Sequence, residues 1–346
     1  MPEKQRIEYI DALRGFTMIL VVIHHVALFM WGILGTHSIH GYLMQVRMPM
    51  FYFISGFVLY KAGVVWNLKH AVQFLRKKFV VQIVSTIIFF TLFVHVMDID
   101  FVPALFSHMK AGYWFTYILF QYFIFYALAQ LLFRKYAYIV MLLMGIAFLP
   151  IYYPPITNTI PLPESVKGLL SIVYWRYFLF FVLGSLVHKY FTKVEQWLDG
   201  RWLLLICLVI YFVLNIYRDV FPSNAENPLC GFLIGLVLTF TGLIILFGFF
   251  RAKQELFTSD KVLGRSLQYI GRRTLDVYLI HYFLLPFREG GVVHFFTNHH
   301  MPIIEAFCSL VIALLIIAFS LLISSILRLS PILAHYLFGV KLQQDC

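Results

Sequence analysis

The chain has 346 residues, 61% of them hydrophobic and only 12% charged. Soluble domains run near half apolar and a quarter charged, so lipid must solvate most of this surface; a mean hydropathy of +0.84 agrees. The formal charge of +11 does not point to nucleic acid, because the basic residues stand between apolar runs, where they set topology.

A membrane-crossing helix needs roughly 20 apolar residues. That length, with the turn residues between runs, predicts an all-α integral membrane protein of about ten spans, at 12–34, 47–64, 79–97, 112–133, 136–153, 169–188, 202–217, 230–250, 267–287 and 303–327. The first run is long enough to cross and lacks a small-residue cleavage site, so it reads as a retained helix and not a signal peptide. Phe101–Phe106 is too short to cross and is expected at the interface. With the N-terminus inside, 21 Lys and Arg fall in cytoplasmic segments and five (Arg47, Lys110, Lys167, Arg218 and Arg288) in outer ones. That bias supports both the orientation and an even span count, with both termini cytoplasmic. The expected plan is one membrane domain over 1–330 and a short cytoplasmic tail over 331–346. Cys207, Cys230, Cys308 and Cys346 lack metal-type spacing, and three of them read as buried thiols. The absence of an Asn-x-Ser/Thr acceptor favours a bacterial source, and hence the inner membrane.

Ionisable groups at bilayer depth are costly, so each is a functional candidate. The first span reads Tyr9-Ile-Asp11-Ala-Leu-Arg14-Gly and then runs apolar to His24-His25. Eleven residues of helix bring His25 to within about 20° of the Arg14 face, roughly 16 Å deeper. Asp11 falls about 60° from Arg14 and about 40° from His25. One face therefore shows a carboxylate and a guanidinium at the cytoplasmic mouth and an imidazole near mid-membrane. Arg14 suits a phosphate. A desolvated, neutral His25 suits a general base or a nucleophile, and Asp11 can orient either. Singly, these residues also fit a snorkelling arginine, a helix-start acid and a core histidine; the aligned set favours chemistry.

Asp11-Ala-Leu-Arg14-Gly with His25 resembles the opening of acyltransferase family 3, the membrane O-acyltransferases of bacterial surface polysaccharides. Further segments match in order. Met50-Phe-Tyr-Phe-Ile-Ser55-Gly56-Phe57 resembles the family's Phe-rich Ser-Gly-Phe stretch, and Gly112-Tyr-Trp114-Phe-Thr-Tyr117 its Trp-Phe/Tyr span start. Phe180-Phe-Val-Leu-Gly184 and Gly271-Arg-Arg-Thr274-Leu-Asp276-Val-Tyr278-Leu-Ile-His281 resemble two later motifs. The resemblance implies transfer of a short acyl group, acetyl first among candidates, from cytoplasmic acetyl-CoA or another acyl-CoA. The acceptor would be a hydroxyl of a carbohydrate or lipid-linked glycan. It implies that His25, Arg14 and Asp11 are catalytic. Arg14, Arg76, Lys77, Lys78, Ser55, Trp114 and Tyr117 would meet the donor, and Arg176, His281 and Tyr278 the acceptor. Ser55 can serve a developing oxyanion; no metal is expected.

The chain departs from the family at the third span, where Lys78 is followed by Val81 or Gln82 in place of a second basic residue. Arg76 and Lys77 can substitute there, and also fit simple positive-inside anchoring. Asp276 lies three residues after Arg273, a spacing that allows pairing. The loop holding Glu289, His294, His299 and His300 reads as a polar lip or an ordinary loop. A carrier for a sugar or lipid-linked sugar would also bury His, Asp and Arg, although the chain shows no internal repeat. A catalytically inactive member of the same fold also fits the sequence.

Overall fold

The computed structural model describes residues 7–31, 39–221, 227–285 and 301–340, and among these every regular element is helical. Among the described residues six helical runs are long and apolar enough to cross a membrane: Glu8–Met30, Leu68–Val96, Trp114–Ile151, Trp202–Val220, Pro228–Ala252 and Pro302–Leu327. A seventh is reached if Glu164–Leu170 and Ile172–Lys189, bent by 44° at their junction, act as one span. The Trp114–Ile151 run is not a single straight rod. The Phe125 and Phe148 ring centroids lie 6.0 Å apart, whereas 23 residues of straight helix would separate them by roughly 34 Å. The chain folds back at Arg134, whose φ is +43°, as the Arg134-Lys135 break in the apolar pattern suggests. The predicted ninth span, 267–287, is interrupted. It consists of Val262–Arg272, a non-helical Arg273, Thr274–Ile280 and a short 3₁₀ turn over His281–Leu284.

The chain forms two units: 1–51 with 191–322, and 52–190 with 323–346. In the first, Glu8–Val26 lies along Val262–Arg272. Their backbones touch through reciprocal glycines. A Cβ on Gly15 would fall 2.0 Å from the Leu267 carbonyl oxygen, and one on Gly271 would fall 1.9 Å from that of Asp11. Small residues allow such close crossings, which matter in lipid because no hydrophobic drive presses helices together. Arg201–Val220 packs along Pro228–Ala252, which starts with Asn227 accepting from the Leu229 and Cys230 amides and with Pro228 in its first turn. Arg251, at the end of that helix, donates to Glu195 at 2.8 Å and to Asp199 at 2.6 Å. Pro49 interrupts the ladder of Ile39–Leu59 and frees the Gln45 carbonyl; the Thr239 hydroxyl lies 3.3 Å from that oxygen.

In the second unit the same device recurs between Tyr52–Leu59 and Phe178–Lys189. A Cβ on Gly56 would fall 1.8 Å from the Phe181 oxygen, and one on Gly184 would fall 1.9 Å from that of Phe53. Ser185 Oγ donates to the Gly56 carbonyl at 2.8 Å. The segment expected as a tail contains a helix, Pro331–Phe338, that packs on the third-span helix. There Ser85 Oγ donates to the Tyr336 carbonyl at 3.1 Å. Large apolar side chains such as Leu205, Val209, Phe212, Leu315 and Phe319 are exposed, as lipid-facing helix surfaces require.

Candidate active site

The Gly15–Gly271 crossing sets the segment after Arg273 beside the first helix, and two histidines distant in sequence meet. His25 Nδ1 lies 2.9 Å from His281 Nε2, and the rings stack with centroids 5.1 Å apart at 16°. His281 is fully buried. Its Nδ1 lies 2.9 Å from both the Val277 and the Tyr278 carbonyl oxygens. A ring nitrogen facing two carbonyls must carry the proton. Neutral His281 therefore offers a lone pair at Nε2, and His25 Nδ1–H donates to it. That leaves His25 Nε2 as the basic nitrogen, its tautomer set by the hydrogen bond on the opposite side of the ring. Tyr282 OH lies 3.3 Å from His25 Nε2, a long contact that a substrate hydroxyl can displace.

The backbone changes character at this point. The first helix is regular over Glu8–Val26 and widens to a π-helix over Ala27–Trp31, where a straight α-helix to residue 34 is the sequence expectation. Such segments are rare and concentrate at functional sites. Phe29, on the widened turn, packs against His25 with centroids 6.2 Å apart. Asp11 and Arg14 are partly buried on the same helix. The Tyr278 and Asp276 side chains are buried, and the Arg273 guanidinium lies 5.2 Å from the Tyr269 ring centroid.

The remaining candidates belong to the second unit. Trp114 stacks on Tyr174, with centroids 3.7 Å apart at 10°, and lies 6.5 Å from Tyr177. Arg176 sits 4.5 Å over that same Tyr177 ring and donates to its hydroxyl at 2.5 Å. Trp114 and Arg176 thus share one tyrosine. The Tyr117 ring lies 4.9 Å from the Lys110 ammonium. Ser55 is partly buried next to the Gly56 contact. Arg76 and Lys77 are exposed, while Lys78 reaches over the Phe123 ring at 4.4 Å. Immediately after it, where the second basic residue is missing, the helix again widens to a π-helix over Val80–Val84. Val81 there packs against the backbone of Gly339.

The family resemblance implies an acceptor contact for His281, and in the structure its ring lies against His25. Tyr282, Tyr174, Tyr177 and Lys110 were not singled out for this chemistry. Only the adjacency of Tyr282 to His281 offered a cue. Among the described residues no group of His, Cys, Asp and Glu is placed to hold a metal ion. The Glu289, His294, His299 and His300 cluster lies outside the described residues, as does Arg288.

Comparison with curated proteins and with solved structures yields no match. A family model described as an acyltransferase domain (Acyl_transf_3) matches residues 7–326, nearly the whole chain. The membrane helices, the five motifs in order and that match agree: the chain belongs to acyltransferase family 3.

Proposed function

We propose that this membrane acyltransferase moves a short acyl group, acetyl in the first instance, from a cytoplasmic acyl-CoA to a hydroxyl of a carbohydrate or lipid-linked glycan. It would do so in a bacterial inner membrane, on a ten-span frame with both termini inside. The observation that carries the reading is the His281–His25 hydrogen bond at 2.9 Å, with His281 Nδ1 committed to two carbonyls. In this reading His25 Nε2 is the unprotonated nitrogen, as a general base requires.

In this reading the acceptor hydroxyl displaces Tyr282 and gives its proton to His25 Nε2. The alkoxide attacks the thioester carbonyl, the tetrahedral intermediate collapses, and the CoA thiolate leaves and takes back the proton. His281 holds the imidazole in one tautomer and orientation throughout, as a triad's third member does. Arg14, on the same helix at the expected cytoplasmic end, binds a donor phosphate. Asp11 orients that guanidinium. Arg76, Lys77, Lys78, Ser55, Trp114 and Tyr117 enter as donor contacts, and Arg176 and Tyr278 as acceptor contacts, on the strength of the family motifs.

His25→Ala tests the base. Surface glycans analysed by mass spectrometry should lose the acyl mass increment in the variant, with at least a hundred-fold drop in transfer. The purified variant should still fold and bind acetyl-CoA. Full acylation by His25→Ala would refute the assignment.

A further inference from the structure

Lysine is almost never fully buried unless its charge is paired. Lys110, just ahead of the Trp114–Phe133 helix, is only 5% exposed. Its Nζ donates to three carbonyls: Leu105 at 2.9 Å, Gly168 at 3.1 Å and Ser107 at 3.3 Å. An ammonium has three protons, and each has an acceptor. The ammonium also faces the Tyr117 ring at 4.9 Å, a cation–π distance. The loop it ties is strained. Lys110, Ala111 and Gly112 have φ of +46°, +49° and +98°, and the first two occupy a left-handed region that is unfavourable for a residue bearing a side chain. Such backbone persists only where its surroundings over-determine it.

The far side of the tie is built to match. A Cβ on Gly168 would fall 1.8 Å from the Phe106 oxygen, so a glycine is needed for the two backbone segments to lie this close. Ser171, itself at φ +52°, donates from Oγ to the His108 carbonyl at 2.9 Å. The neighbouring cation, Lys167, is spoken for by Glu164 at 2.8 Å and by the Thr157 carbonyl at 3.1 Å. His108 feels the charge of Lys110 and the Tyr117 ring faces it, while Asp98 and Asp100 are exposed at the preceding turn.

We propose that Lys110 is a positioning residue, its buried ammonium pinning the loop that enters the Trp114–Phe133 helix and so holding the Tyr117 ring and the Trp114 end of that helix in place for substrate. The proposal rests on the acyl-transfer reading, in which Trp114 and Tyr117 touch substrate. Protonation is the control point. Burial pulls the Lys110 pKa from 10.5 down to about 8. A neutral amine offers two protons to three carbonyls, so one tether is released as pH rises through that value. The unfolded chain keeps its proton up to 10.5, so the unfolded state binds more protons between those two values. Global stability attributable to Lys110 therefore rises with pH across that window, even as the loop loses a tie.

The test uses the full chain in proteoliposomes, with Lys110→Met and Lys110→Arg, between pH 7 and pH 9.5. Amide exchange over 105–113, corrected for its intrinsic pH dependence, should quicken about tenfold in the wild type. It should be fast at both pH values in Lys110→Met and slow at both in Lys110→Arg. Transfer from acetyl-CoA to octyl glucoside should lose kcat in the wild type near pH 8, and that loss should vanish in Lys110→Arg. The melting-temperature advantage of wild type over Lys110→Met should widen with pH. An exchange response in Lys110→Met, or in Lys110→Arg should the former not fold, equal to that of the wild type would overturn the proposal. Absence of any transfer by the wild type, with the exchange response intact, would overturn the acyl-transfer reading and leave the tether standing.

Discussion

His281 donates from one ring nitrogen to two carbonyls and accepts on the other from His25, so its effect on chemistry runs through the tautomer of its neighbour. Replacing it with leucine removes the acceptor for His25 Nδ1–H. The imidazole of His25 is then free to turn or to place its proton on Nε2, where it cannot act as a base. His281→Leu is expected to lower kcat by about a hundred-fold with KM little changed, because an orienting group acts on the transition state more than on binding. His281→Gln keeps an acceptor oxygen and should recover part of that loss. Steady-state kinetics on the pair of variants decides it, and a leucine variant with wild-type kcat would remove His281 from the mechanism. The Arg14 to His25 spacing was legible in the sequence because both lie on one helix, where a period of 3.6 residues fixes the angle between them. The partnership with His281 was not, since 256 residues separate the two and only a helix crossing brings them together.

That crossing, and its counterpart in the second unit, explain why motif glycines recur in this chain. Gly15 faces the Leu267 carbonyl and Gly271 that of Asp11; Gly56 faces Phe181 and Gly184 faces Phe53. Each pair lets two helix backbones touch, and each lies next to a candidate residue: Arg14 beside Gly15, Ser55 beside Gly56. Read from the sequence, these glycines belonged to family patterns without a physical reason, because a reciprocal contact requires the register of a second helix. The break at Arg273 was hidden likewise, since its neighbours continue an apolar pattern long enough to span. The reversal at Arg134 was legible, as two basic residues interrupt the run there. Gly271→Val forces a side chain into a space where even a Cβ would lie 1.9 Å from backbone oxygen. The helices must part, at a cost of about 1–3 kcal/mol, and the His25–His281 hydrogen bond should be lost with them. Gly235→Ala is the matched control, since its Cβ would meet only the end of the Gln45 side chain at 3.8 Å. Thermal melting in detergent should drop by several degrees for the first variant and stay put for the second. Equal melting of the two would show that the close approach is not required.

For the molecule as a whole, composition made the membrane legible at once, but the number of crossings depends on what counts as a span. Among the described residues six runs pass on length and hydropathy, and one of them, Trp114–Ile151, turns back on itself, as the Phe125–Phe148 contact requires. Other crossings in the ten-span reading rest on Ile39–Leu59, a 21-residue helix with Pro49 inside it, and on the interrupted segment around Arg273. A length rule misses the interrupted segment because a polytopic protein can satisfy a broken helix with neighbouring helices and side chains. The distribution of Lys and Arg carries independent information, and the orientation proposed for the loops rests on it. Residues Asp98, Lys135 and Asp260 are exposed in three different connections. In a cysteine-free background, Asp98→Cys should react with a membrane-impermeant maleimide from outside intact cells. Lys135→Cys and Asp260→Cys should react only after the membrane is opened. Labelling of positions 98 and 135 from the same side would mean that Trp114–Phe133 does not cross. Labelling of position 260 from outside would reverse the second half of the chain. It would also move the Glu8 end of the first helix, which carries Arg14, away from the cytoplasm, because Ser259 and Glu8 are joined by a hydrogen bond of 3.3 Å. A donor confined to the cytoplasm could then not reach Arg14, so the sidedness of residue 260 bears on the chemistry as directly as it does on the fold.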